Sequence, residues 1–156
     1  MINLQNLKEF LVKAKKSTYA SGDASKKIIE ADKSTTLIFE DGDFKYHDNY
    51  FGGEPYGGRE VVFFKDEPVY MMVYYGLVKD EVTDFKGVYS VLQKSLSLIP
   101  EDKPYRGPRE YTEGDYKYLN SFIGELDNFS GEELISYEGE EIYKAKYIGG
   151  LVDKRK

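Results

Sequence analysis

Apolar side chains recur at helical spacing in two stretches of the chain. Leu4, Leu7, Phe10, Leu11 and Ala14 follow Asn3, a side chain suited to capping a helix N-terminus. Phe85, Val88, Leu92, Leu96 and Ile99 follow Asp84 in the same way, and Pro100 is expected to end that second helix. After each helix the pattern changes to the two-residue alternation of strands. Thr36 to Glu40 is expected to turn through Asp41-Gly42 into Asp43 to Phe51, and Arg59 to Phe64 through Asp66-Glu67 into Val69 to Tyr75. Glu113-Gly114 and Glu138-Gly139 supply the corresponding turns later on.

The two halves also align with each other at an offset of 72, rising to 73 after one inserted residue. EDGDFKYHDNYFGG at Glu40 falls over TEGDYKYLNSFIGE at Thr112, and YGGREVVFFKDEPVYMMVYYG at Tyr56 over FSGEELISYEGEEIYKAKYIG at Phe129. Identities fall at Gly42, Asp43, Lys45, Tyr46, Gly52, Gly58, Glu60, Glu67, Tyr70, Tyr74 and Gly76, where chance would give roughly two or three. The fold class expected is α+β. Two αββββ units, residues 3–78 and 84–152, form a curved antiparallel sheet with two helices packed on one face, all within a single domain of residues 1–156. Residues 23–34 have almost no counterpart in the second unit and are the candidate for a mobile flap, with a plain solvated loop as the alternative.

Alternation assigns faces. If Lys144 and Lys146 meet water, Tyr143, Ala145 and Tyr147 face the core, and so do Tyr70, Met72 and Tyr74 in the first unit. The opposite face of that strand carries Val69, Met71, Val73 and Tyr75, an apolar strip that asks for cover from the chain itself or from a homodimer partner. The preceding long strand puts Phe44, Tyr46, Asp48 and Tyr50 on one face, matched by Tyr116, Tyr118, Asn120 and Phe122. A carboxylate among aromatics must be hydrogen-bonded or must shift its pKa upward, so Asp48 is either a site residue or part of a structural network. His47 points away from Asp48 and makes no ready dyad with it. GGEPYGG at Gly52 joins two strands and lacks the Gly-Lys-Ser/Thr ending of a phosphate loop, so it reads as a wide hairpin connection. Glu60 and Glu133 follow matched glycines, which suggests a structural partner such as a tyrosine hydroxyl or a backbone amide.

Composition narrows the chemistry. There is no cysteine and one histidine among 156 residues, which removes disulfides, thiolate nucleophiles and multi-histidine metal sites; no metal or cofactor is expected. Fifteen tyrosines and nine phenylalanines make an aromatic core in which each buried phenol must find a partner. The net charge of −6 argues against direct nucleic-acid binding. Residues 1–34 nevertheless carry +3, and Lys13, Lys15 and Lys16 there are expected to complement the C-terminal dipole of the first helix. The N-terminal stretch reads as neither signal peptide nor anchor, no apolar run spans a bilayer, and the expected location is cytoplasmic.

Tyr46-x-Asp48-x-Tyr50-x-Gly52-Gly53, Gly58-x-Glu60-x-Val62, Tyr74-Tyr75-Gly76, PYRGP at Pro104 and EGDYKY at Glu113 together resemble a family of uncharacterised bacterial and archaeal domains of unknown function. Members occur alone or behind an Xre-type helix-turn-helix, which implies a regulatory or ligand-sensing role. The family's strand tryptophans stand here as Phe or Tyr, for instance Phe44 and Tyr70, and the chain's two distant helices form no helix-turn-helix. The leading expectation is a non-catalytic module that binds or senses a small molecule or peptide against Tyr46, Asp48, Tyr50, Glu60, Tyr70 and Tyr74. The alternatives are a hydrolase or isomerase with Asp48 as general acid–base, and a protein-interaction or assembly domain using Val69, Met71 and Val73.

Overall fold

The structure is a computed structural model and describes residues 1–155. Helix α1 spans Leu4–Ser17, and the Asn3 side chain caps it by accepting the Asn6 N–H at 3.0 Å. It buries Leu7, Phe10, Leu11 and Ala14, and with them Lys15. Helix α2 spans Phe85–Ser97 and starts in the same manner, with Asp84 Oδ1 accepting the Gly87 N–H at 3.0 Å. It stops before Ile99, because the Leu98 N–H turns back to the Ser95 carbonyl; Ile99 is buried from beyond the helix rather than from within it.

Nine strands form one open antiparallel sheet: β1 (Ile28–Ile29), β2 (Thr35–Asp41), β3 (Phe44–Phe51), β4 (Tyr56–Phe64), β5 (Glu67–Val78), β6 (Glu110–Glu113), β7 (Tyr116–Glu125), β8 (Asn128–Tyr137) and β9 (Glu140–Leu151). Their order is β1-β2-β3-β4-β5-β9-β8-β7-β6, so the β5–β9 pair lies near the middle and Tyr74 stands directly opposite Tyr147. With two helices against nine strands, the class is α+β.

Three of the four expected hairpin turns sit one residue away from their expected positions, and the β6–β7 turn is one of them, running through Gly114-Asp115 rather than Glu113-Gly114. β2 and β3 are joined by Gly42-Asp43, and β4 and β5 by Lys65-Asp66 rather than Asp66-Glu67. A register shift between Val62 and Phe63 moves the second turn, and Lys65 and Asp66 both take positive φ, as the hairpin demands without a glycine. The β8–β9 hairpin has a shift at Ile135/Ser136 and turns through Glu138-Gly139 as expected.

One core cluster gathers Leu7, Phe10, Leu11 and Ala14 of α1 with Tyr46, Val62, Tyr70, Met72 and Tyr74. A second gathers Val88, Val91, Leu92 and Leu96 of α2 with Val78, Tyr118, Ile135, Tyr143 and Ala145. The alternation expected for β5 and β9 therefore holds on the inner face. On the outer face Val73 (46% exposed), Tyr75 (56%) and Ile148 (61%) meet solvent, so neither a helix nor the 23–34 segment covers them. Among the described residues, no helix is long and apolar enough to cross a membrane.

Candidate functional site

β3 and β4 pair so that Asp48 stands directly opposite Glu60, and both carboxyls are buried. Facing like charges repel across a strand pair unless partners intervene. The Tyr74 hydroxyl, from β5, donates to Asp48 Oδ1 at 2.6 Å. The Tyr46 hydroxyl donates to Glu60 Oε1, and Lys15 reaches in from α1 to place Nζ 3.0 Å from Glu60 Oε2. Lys15 also donates to the Tyr105 carbonyl at 2.6 Å. Its ammonium therefore does not cap α1 in solvent, as expected from its place near the helix end, but sits buried in an ion pair. Burial lowers the Lys15 pKa, and Glu60 opposes that shift.

The same register recurs between β7 and β8, where Asn120 stands opposite Glu133. The Tyr147 hydroxyl donates to Asn120 Oδ1 at 2.6 Å, the counterpart of Tyr74 on Asp48. Tyr118 donates to Glu133, as Tyr46 does to Glu60. The cation differs: Arg106, from the segment after α2, donates through Nε to Glu133 Oε1 at 2.7 Å and through a terminal nitrogen to the Tyr56 hydroxyl at 3.3 Å. The tyrosine partners expected for Glu60 and Glu133 are present, but two buried cations accompany them.

Around Asp48 the sheet and α1 leave a cavity of about 450 Å³. Its buried lining includes Lys15, Tyr46, Asp48, Glu60, Tyr74, Tyr105 and Arg106, and its exposed rim includes Lys27, Ile29, Gly52 and Gly53. Tyr50, Tyr56 and Tyr89 are half-buried lining residues between these two levels. Tyr50 fits opposite Gly58 because that glycine has no side chain: a Cβ there would lie 2.5 Å from Tyr50 Cβ. The 23–34 segment contributes β1, a two-residue edge strand paired to β2, which brings Ile29 to the rim beside Lys27.

Of the six residues expected to hold a ligand, Tyr46, Asp48, Tyr50, Glu60 and Tyr74 line the cavity. Tyr70 does not. It lies fully buried in the α1 core, its ring stacked against Phe129 at 6.1 Å between centroids, and its hydroxyl has no hydrogen-bond partner among the described residues. His47 lies on the other side of β3, beside Arg59 and Met71 in a separate surface depression. Sequence reasoning missed Lys15 and Arg106. Lys15 did carry a signal, since it continues the Leu7, Leu11 spacing on the apolar side of α1; Arg106, between Tyr105 and Gly107 in an irregular segment, carried none.

Burial pushes the Asp48 pKa up to about 7, and the facing Glu60 carboxylate adds to the shift; the Tyr74 hydrogen bond, Arg106 and Lys15 pull the other way. Near neutral pH this carboxyl can therefore either accept or donate a proton within the cavity.

No curated protein and no solved structure matches the chain. The family model for a domain of unknown function (DUF5680) matches residues 48–152, from Asp48 itself through the end of β9, well over half of the 156 residues. The chain belongs to that family.

Proposed function

We propose that the chain is a non-catalytic module that binds a small molecule in the cavity around Asp48. The observation that carries this reading is a cavity of about 450 Å³ whose lining holds a buried carboxyl among tyrosines. Ligand sites commonly have about 300–1,000 Å³ and a few convergent polar groups in a largely apolar wall. Tyr46, Asp48, Tyr50, Glu60 and Tyr74 would contact the ligand, and β1 would form part of its mouth.

The same reading takes the fold as a duplicated αββββ unit, a curved sheet with both helices on one face. Strand order about the β5–β9 pair, the matched registers of Asp48–Glu60 and Asn120–Glu133, and the matched register shifts support it. On that view the second unit is the closed copy and the first the open one.

A screen of a metabolite library by thermal shift and by NMR of the tyrosine rings tests the proposal. Ligands are expected to raise the melting temperature of the wild type and not of Ala20→Phe, which places a ring in the cavity wall. A library that moves neither the melting temperature nor any cavity resonance would remove the proposal.

A second reading, acid–base catalysis by Asp48 as a hydrolase or isomerase, is favoured by its raised pKa. Turnover of any library hit, abolished in Asp48→Asn, would establish it over simple binding. Assembly through the outer face of β5, around Met71 and Val73, is compatible with either reading and is favoured by the exposure of Val73; Val69, expected on the same strip, is partly buried against the α1 core cluster instead.

A further inference from the structure

We propose that the ligand of this cavity is a small organic cation, an amidine or protonated amine, whose N–H groups bind the Asp48 carboxylate. This rests on the binding reading above and specifies its chemistry.

The buried charges do not balance. Among the described residues, the buried carboxyls are Asp48, Glu60 and Glu133, and the buried cations are Lys15 and Arg106. Each cation is already engaged, Lys15 with Glu60 at 3.0 Å and Arg106 with Glu133 at 2.7 Å. Asp48 is left as the carboxyl without a cation. Burying an uncompensated carboxylate is strongly unfavourable, so such a group either keeps a proton or takes up a positive charge.

Asn120 reveals what is missing at Asp48. At the matched position the amide is satisfied at both ends by the chain: Oδ1 accepts the Tyr147 hydroxyl at 2.6 Å, and Nδ2 donates to the Gly107 carbonyl at 2.9 Å. Asp48 accepts the equivalent tyrosine hydroxyl at 2.6 Å but has an oxygen in place of the amide nitrogen, and it lines open space. A carbonyl cannot satisfy a carboxylate; a donor can. The half-buried tyrosine rings of the lining, Tyr50, Tyr56 and Tyr89, suit the body of a cation, which is attracted to aromatic faces, whereas the Tyr74 ring already has the Arg106 guanidinium over it at 5.4 Å.

Asp48 is faced by Glu60 from β4, Tyr74 from β5, Lys15 from α1 and Arg106 from the segment after α2, with Tyr46 beside it on β3. Glu60 and burial hold the proton on, so a cation must displace it. Affinity for a cation that stays charged throughout is therefore expected to rise with pH through the Asp48 titration and then level off.

Benzamidine, benzamide and benzoate share a skeleton and differ in charge, and n-butylamine, butanol and butyrate repeat the comparison without a ring. The intact chain is titrated with each, followed by NMR of the cavity tyrosines. The cations are expected to bind, to bind roughly tenfold more weakly at about pH 6 than at about pH 8, and to lose at least about tenfold in affinity in Asp48→Asn. Asparagine is accommodated at the matched position 120, so this variant is expected to fold, and the wild-type pH profile is an independent readout. Equal or tighter binding of the neutral or anionic members would overturn the cation assignment while leaving the cavity a binding site. Silence of both cations, beside hits of another charge from the library, would overturn it equally. Failure of the whole library would remove the binding reading as well.

Discussion

Lys15 of α1 and Glu60 of β4 form an ion pair at 3.0 Å with both side chains almost wholly buried. It ties the first helix to the strand pair that carries Asp48. Breaking a buried pair by removing one partner leaves a charge stranded, which costs about 3–5 kcal/mol. Lys15→Met is accordingly expected to lower stability in urea denaturation by about 3 kcal/mol. Lys16→Met, one residue on and exposed, is expected to change it by less than about 0.5 kcal/mol. Equal behaviour of the two variants would contradict a structural role for the pair.

Asp48→Asn separates the effect of this carboxyl on stability from that of the others. The folded-state pKa of Asp48, about 7, lies above the unfolded value, so the folded protein holds the proton more tightly. That contribution is fully present below the unfolded carboxylate pKa and is lost as pH rises through about 7, at up to about 1.4 kcal/mol per pH unit. The variant lacks the loss. Its stability relative to wild type is expected to climb between about pH 4 and pH 7 and to plateau above. Parallel pH–stability curves for the two proteins would show that Asp48 titrates in its ordinary range.

Several of these relationships were legible in the chain. Asn3 and Asp84 cap their helices because short acceptors precede apolar periodicity, and Tyr46, Asp48, Glu60 and Tyr74 converge because strand alternation puts them on one face. Alternation assigns a face but not a place along it. Tyr70 shares the face of Tyr74, yet lies four residues along β5, under α1 and against Phe129, outside the lining of the cavity around Asp48. Lys15 continues the Leu7, Leu11 spacing on the apolar side of α1, but that signal competes with its position in the last turn, where a lysine ordinarily caps in water. Arg106 was hidden because nothing local tells a loop residue which strand it will cross. Which carboxyl remained unpaired could be seen only once both cations were located.

The Tyr70 hydroxyl is fully buried without a hydrogen-bond partner among the described residues. A buried unsatisfied hydroxyl costs about 1–3 kcal/mol, and removing it relieves that cost without opening a cavity. Tyr70→Phe is expected to be stabilising by about 1 kcal/mol in chemical denaturation and to leave ligand binding unchanged, because Tyr70 lies outside the lining. A loss of more than about 1 kcal/mol would mean the hydroxyl has a partner in solution.

The outer face of β5 and β9 exposes Val73, Tyr75 and Ile148 side by side, with Val73 directly opposite Ile148. If this strip joins two copies, sedimentation velocity will show a dimer that Val73→Lys dissociates, while the unfolding free energy of the monomer changes by less than about 0.5 kcal/mol. A concentration-independent monomer would assign the strip to the surface of a lone chain.

The carboxyl carbon of Asp48 gives the most direct test, because it senses both burial and the ligand. In a carbon-13 NMR titration, one carboxyl resonance absent from Asp48→Asn is expected to titrate at about 7 in the free protein. With saturating benzamidine its midpoint is expected to fall by at least about one unit, since a bound cation favours the ionised form. A midpoint in the ordinary carboxylate range, or one that benzamidine leaves in place, would contradict the account of Asp48 as the buried anion of a cation-binding cavity.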